Sequence, residues 1–268
     1  MHPNRRSSHS KRLAGGGGAL ALLFLLTACT CDVDLHTVKG SGIEKTLTRQ
    51  TTAFSRVDLK GSMRVTIVVC QPRSVTIRGD DNLIGNVRTR VGGETLAISN
   101  RHPYRSKIGL SVAISVPTLT AVELSGSGAI DVKDVQGASF AADLSGSGDI
   151  TVNGTAARID LSISGSGEAK LDGLAAHEVR AEISGSGDIE ASGTTDRLDV
   201  SVPGSGDVRF DRLVARDAHV DISGSGNVQV WASDSLVAEI SGSGDIKYAG
   251  NPRQVSKDVS GSGEIKAL

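Results

Sequence analysis

The chain is poor in aromatic residues, with one Trp, two Tyr and four Phe in 268 positions, so it is not built around an aromatic-lined small-molecule pocket. Cysteine is equally scarce. Cys29, Cys31 and Cys70 include no pair at the two-residue spacing of a structural zinc site. The four histidines beyond residue 28 (His36, His102, His177 and His219) form no metal-like pair and sit in no nucleophile motif. No apolar run approaches the ~20 residues of a membrane-spanning helix. The basic stripe that nucleic acid demands is missing too, and nucleic acid is excluded as a partner.

The N-terminus has an export pattern. Arg5, Arg6, Lys11 and Arg12 precede an apolar run from Ala19 to Leu26, and the run ends Leu26-Thr27-Ala28-Cys29. This ending resembles the bacterial lipobox, which implies that residues 1–28 are a lipoprotein signal peptide and that Cys29 is lipidated, with residues 29–42 as a tether. An acylated Cys29 supplies the two or more chains that stable anchoring needs, so the membrane is the first expected partner. Thr30 is not the aspartate associated with inner-membrane retention, which directs the expectation to the outer membrane. Without residues 1–28 the chain has 25 Lys and Arg against 30 Asp and Glu, a mildly acidic protein. Cys31 and Cys70 form an even pair that an oxidising envelope could bridge. In the simpler reading, Cys70 is a small buried hydrophobe after Val65–Val69 and Cys31 is free.

What the sequence has in excess is glycine, 33 residues, and these are patterned. The block Leu124-Ser-Gly-Ser-Gly-Ala-Ile130 returns seven times, with first glycines at 126, 146, 165, 185, 204, 224, 242 and 261. Between these corners lie alternating segments such as Ile159-Asp-Leu161-Ser-Ile163, the period of half-buried strands. Gly-Ser-Gly supplies a sharp bend, through backbone angles that favour glycine. Asn153-Gly154, Asp172-Gly173 and Ser192-Gly193 mark a second turn in each unit. A unit of about 19 residues cannot bury its aliphatic face alone, so units must stack. The predicted fold is all-β, a parallel β-solenoid of 18–20-residue repeats with one repeat per coil, its eight regular coils spanning roughly 38 Å. Leu124, Leu144, Ile163, Ile183, Val202, Ile222, Ile240 and Val259 should form one internal column, and Ile130 to Ile265 another. Shorter and longer repeats alternate, so two repeat types are expected, and the alternative to one repeat per coil is a flattened coil of two repeats, about 39 residues.

Together with Gly40-Ser-Gly42, Phe54-Ser-Arg-Val-Asp-Leu59, Gly79-Asp-Asp-Asn-Leu-Ile84 and Val116-Pro117, these blocks resemble the bacterial family called putative auto-transporter adhesin, head GIN domain. The resemblance implies a right-handed β-helix-like fold in an exported, often lipid-anchored protein. On this reading residues 43–120 are degenerate coils and 121–268 regular ones of a single domain. Gly40, Gly61 and Gly79 would continue the period, and Asn100–Lys107 would bulge from the stack.

Candidate chemistry is sparse. The residue after each corner is usually acidic, as at Asp149, Glu168, Asp188, Asp207 and Asp245. A calcium-stabilised scaffold would draw on these carboxylates, but a solvated turn with Asp bonding nearby amides is the simpler reading. The second serines of the corners would form a ladder bonding across coils. Arg158 and Arg197, 39 residues apart, could line a lyase-like groove with the acids, but no catalytic constellation emerges and no enzyme is expected. Arg101, His102, Tyr104, Arg105 and Lys107 make the best recognition segment, for an envelope protein or glycan. Trp231 and Tyr248 are the aromatic platforms available to a glycan. The last coil offers a bare parallel edge, a route to end-to-end self-association. The function expected is that of a non-catalytic adhesion or structural module of the cell envelope, the alternatives being a glycan-binding or glycan-cleaving β-helix, or a calcium-stabilised scaffold.

Overall fold

The computed structural model describes residues 37–268 and contains no α-helix among them. Cys29, Cys31, the signal segment and most of the tether lie outside the described residues. The regular body consists of β10 (Ala121–Leu124), β11 (Ala129–Leu144), β12 (Asp149–Ile163), β13 (Glu168–Ile183), β14 (Asp188–Val202), β15 (Val208–Ile222), β16 (Val228–Ile240), β17 (Ile246–Ala249), β18 (Gln254–Val259) and β19 (Ile265–Ala267). Each pairs in parallel with the next coil. Ile130 lies opposite Ile150 and Leu144 opposite Ile163, so one repeat is one coil of a parallel β-solenoid. The two aliphatic columns are buried as expected, except at their end, where Val259 is 42% exposed.

The corner glycines owe their identity to close approach. None of the eight Gly-Ser-Gly corners contains a positive-φ residue. A Cβ on Gly146 would instead meet the Gly126 carbonyl oxygen at 2.0 Å, and one on Gly165 the Gly146 oxygen at 1.9 Å. The backbone-angle explanation is therefore corrected: the corners stack too tightly for any side chain between them. Cross-coil bonds at the serines run from backbone amides, as from Ser147 N–H to Gly126 O (3.1 Å) and Ser166 N–H to Gly146 O (3.0 Å), while the Ser147 and Ser166 side chains face solvent. True left-handed geometry appears at the second turn, where Gly154 and Gly193 have φ of +135° and +129°.

The first part of the chain departs from the expected simple continuation. It comprises β1 (Val38–Lys39), β2 (Glu44–Arg49), β3 (Arg56–Lys60), β4 (Arg64–Val69), β5 (Ser74–Asp80), a 3-10 turn (Ile84–Asn86), β6 (Val87–Gly92), β7 (Thr95–Asn100), β8 (Tyr104–Arg105) and β9 (Ser111–Val116). β3 and β4, joined by the corner at Gly61, form the coil beneath β10 and β11. The next coil outward is made by β7 and β9, which come later in the chain and stack on β3 and β4 in parallel. Coil order and chain order therefore differ here. β5, β2 and β6 join antiparallel and finish the sheets at this end, with Leu83, Ile84 and Val87 buried there. Gly79 lies within β5 and marks no corner, and Gly40 packs on the Asp80 carboxylate.

β18 is exposed throughout. Lys257 aligns with Ala238, a core-facing position in the coil before it, and its Nζ lies 4.7 Å from the Tyr248 ring centroid. Cys70, expected to be buried, is exposed at the end of β4 with φ +63°, because the chain turns away from the sheet there.

Candidate functional site

The recognition segment replaces a corner. Residues 101–110 link β7 to β9 where other coils use three to five residues, and the segment folds back onto the end of the solenoid. Two buried polar side chains fix it, so the expected bulge is corrected to a clamped loop. Asn86 accepts from His102 N–H (2.9 Å) and donates to His102 O (2.8 Å). The Asp80 carboxylate, fully buried, accepts from Gly42 N–H (2.6 Å), the Ser106 hydroxyl and Lys107 N–H (3.2 Å). These donors, the Ser106 hydroxyl foremost, hold the Asp80 carboxyl below its ordinary range against the opposing effect of burial. β8 pairs with β1, so the chain leading in from the tether is bonded to this loop, with Val38 N–H on Pro103 O and Gly40 N–H on Arg105 O, each 2.9 Å.

Arg101, His102, Arg105 and Lys107 are exposed on this frame, and Tyr104 is half-buried. Tyr104 stands between two shallow clefts. One, of about 500 Å³, also has Lys60, Ser62, Arg101 and Ser127 on its walls. The other, of about 470 Å³, has Arg64, Ser106 and Asp149.

The acidic residues after the corners are brought together as a column, and in three of them, Asp188, Asp207 and Asp245, one oxygen bonds across coils. Asp188 Oδ1 accepts Asp207 N–H (3.1 Å), Asp207 Oδ1 accepts both Asn227 N–H and its Nδ2 (3.0 Å each), and Asp245 Oδ1 accepts Glu264 N–H (2.9 Å). Asn227 Oδ1 continues the chain by accepting Asp245 N–H (3.3 Å). Asp188, Asp207 and Asp245 thus each join one coil to the next. Among the described residues no group of three or more His, Cys, Asp or Glu could hold a metal ion. Asp149 and Glu168 lie in register with each other in the same column, exposed.

The two coil types turn out to be an electrostatic device. In-register stacking would set like charges about 4.8 Å apart; two columns avoid this by alternation, whereas Asp221, Glu239 and Asp258 do stack in register. Arg158, Glu178, Arg197 and Asp217 follow one another up one column, and Asp160, Arg180, Asp199 and His219 up the next. Arg158 binds the Asp160 carboxylate through Nε (2.8 Å) and lies 3.6 Å from Glu178, which also binds Arg180 (2.8 Å). Arg158 and Arg197 therefore share a face, as expected, but Arg158 is occupied in neutralising its neighbours. Beside them a cavity of about 310 Å³ includes Asp143, Arg158, Asp160 and Glu182. Burial pushes the Asp143 carboxyl up, Arg56 opposing.

Of the two aromatic platforms, Trp231 faces outward and is 39% exposed beside Val214 of the preceding coil. Tyr248 lies on a core-facing column and is half-buried.

One feature is absent from the overall composition. Residues 37–120 carry 13 Lys and Arg against 5 Asp and Glu, whereas residues 121–268 carry 12 against 23. A near-neutral whole hides a basic end and an acidic body. Counting charge by segment finds this in the sequence; that the basic segment forms one end of the rod needs the structure.

A parallel solenoid with a basic end, a clamped corner loop and two columns of alternating charge defines a β-helical repeat protein. The chain belongs to the family described as Putative auto-transporter adhesin, head GIN domain, whose profile matches residues 53–252. Its fold is shared by solved structures. A putative adhesin from Parabacteroides merdae ATCC 43184 is 22% identical with a TM-score of 0.80, covering 87% of this chain and 99% of its own. A protein from Parabacteroides distasonis ATCC 8503 called a putative lipid binding protein is 24% identical with a TM-score of 0.79, covering 87% and 99%. A putative adhesin from Bacteroides fragilis NCTC 9343 is 22% identical with a TM-score of 0.68, covering 86% and 100%. A search of curated proteins finds no match.

Proposed function

We propose that this protein is a non-catalytic interaction module of the cell envelope, lipid-anchored through Cys29 at the outer membrane, whose contact with its partner is the loop of Arg101, His102, Tyr104, Arg105 and Lys107. The observation that carries the reading is the contrast in charge pairing. In the repeats Arg158, Arg180, Arg209 and Arg216 each have a carboxylate within 4 Å, but among the described residues Arg101, Arg105 and Lys107 have none. A loop held rigid by Asp80 and Asn86 while its cations stay unneutralised is organised in advance for an anionic or hydrogen-bonding partner. The adhesin family supports the same reading.

Deleting residues 100–107 would also remove the contacts to Asp80 and β1, so substitution is the cleaner probe. Binding of the mature chain to envelope proteins and glycans should fall at least ten-fold when Arg101, Arg105 and Lys107 become Gln, at about 1 kcal/mol or more per charge-assisted contact. Equal binding by both forms would remove the loop from the proposal. A second reading, glycan binding on the repeats, is favoured by the outward Trp231 beside Val214. Loss of glycan binding in Trp231→Ala, with the loop variant unaffected, would establish it instead.

A further inference from the structure

We propose that the basic end of the solenoid docks on an anionic lipid surface, Arg101, Arg105 and Lys107 engaging headgroup phosphates while the acidic coils project away from it. This deepens the loop assignment above and takes from the lipid-anchored reading only where the membrane lies.

Four observations converge. First, charge is segregated along the rod: the segment that forms this end has an excess of eight positive charges and the repeats an excess of eleven negative ones. An anionic surface attracts the first and repels the second, which fixes orientation as well as contact. Second, the edges at this end are basic. Lys45 is exposed and Arg49 half-buried on β2, and Arg88 and Arg90 are exposed on β6. Asp80 and Glu44, the acids packed closest to the loop and β2, are already engaged, Asp80 with the loop donors and Glu44 with Arg78 (2.7 Å). Asp81 accepts the Ser41 hydroxyl.

Third, two exposed aliphatic residues accompany the cations. Ile108 follows Lys107 and is 43% exposed, and Ile43 is 64% exposed. Ile43 follows Gly42, whose Cβ position lies 3.3 Å from the Lys107 side chain. Cations beside exposed aliphatics are the composition of a peripheral membrane face. Fourth, β1 joins the body on this same loop, so a chain anchored at Cys29 enters at the basic end. The nine residues from Cys29 to Val38 reach at most ~30 Å when extended. An anchor that short keeps this end, rather than the acidic coils, at the bilayer.

The test uses the mature chain with Cys29→Ser, so that no acyl group contributes, sedimented with phosphatidylcholine vesicles with and without phosphatidylglycerol. Binding should require the anionic lipid and should weaken steeply as salt rises above ~0.1 M. Each cation near such a surface strengthens binding roughly five-fold, so changing Arg101, Arg105 and Lys107 to Gln should weaken it about 100-fold. Changing Lys247 and Lys266 in the far coils to Gln should leave it unchanged. If the triple variant melts below the parent, Arg105→Gln alone carries the test, with about a five-fold loss. Equal binding to neutral and anionic vesicles, or equal binding by the loop variants, overturns the proposal. The mass of the native chain reports acylation separately, so an acylated protein indifferent to anionic lipid would refute docking and leave anchoring intact.

Discussion

Replacing Gly165 with alanine separates two explanations of the repeated corner. A Cβ there would lie 1.9 Å from the Gly146 carbonyl oxygen and 2.8 Å from its carbonyl carbon, both backbone atoms that cannot rotate away. The coils must part by about 1 Å to accept it, a strain of the kind that costs ~1–3 kcal/mol in packed interiors. Parting stretches Ser166 N–H to Gly146 O and Ser164 N–H to Leu144 O, both 3.0 Å. At about 1 kcal/mol each these raise the total to ~3–5 kcal/mol. At ~2–4 °C per kcal/mol for a chain of this size, the melting temperature should fall by about 10 °C. Gly173 is the counterpart: φ is +63°, but its Cβ position has nothing within 4 Å. Gly173→Ala should cost only the ~1–2 kcal/mol of a left-handed backbone. Ser166, with its side chain in solvent, should tolerate alanine within about 0.5 kcal/mol. Circular dichroism gives the order of melting, with Trp231 fluorescence showing whether distant coils unfold together. If Gly165→Ala melts at or above Gly173→Ala, close approach is not the reason for glycine at the corners.

Asp80 sets an acid limit on the loop. Its folded-state carboxyl is lowered, so the clamp is fully present above the ordinary carboxylate pKa and is lost as pH falls through the lowered value. Hydrogen exchange of the Gly42 and Lys107 amides should therefore be protected at neutral pH and released in strong acid, and Asp80→Asn should release them already at neutral pH. Chelation should not matter to the repeats: because Asp188, Asp207 and Asp245 bond to amides of the next coil, EDTA should leave the melting temperature unchanged, and a fall of several degrees would restore the calcium scaffold. Lys257 opposes pairing on the open edge, since another coil stacked there would bury its charge. Sedimentation should show the parent chain monomeric at micromolar concentration and Lys257→Val associating; an associating parent would show that the edge is a contact despite the lysine.

The repeats were legible because stacking couples sequence to structure with a fixed period. Leu144, Ile163 and Ile183 share one column because each coil repeats the last. The segment before residue 121 resists this logic. Gly61 is a corner and Gly79 is not, yet both precede or follow polar residues in similar runs, and only pairing partners distinguish them. Nothing local marks Asp80 or Asn86 as clamps either, since their donors lie 16 to 38 residues away.

Composition and periodicity by themselves determined the all-β solenoid and its aliphatic interior, because identical units that bury alternate residues must stack, whereas the strand register decided that one repeat makes one coil. The sequence also contains the charge segregation, though only when counted by segment. The tertiary structure alone decided that the later strands β7 and β9 lie outside β3 and β4, that the corner glycines answer to a carbonyl in the next coil, and that the entering chain meets the basic loop. Those are contacts between residues distant in the chain, and their energies come from close approach and pairing that no local pattern records.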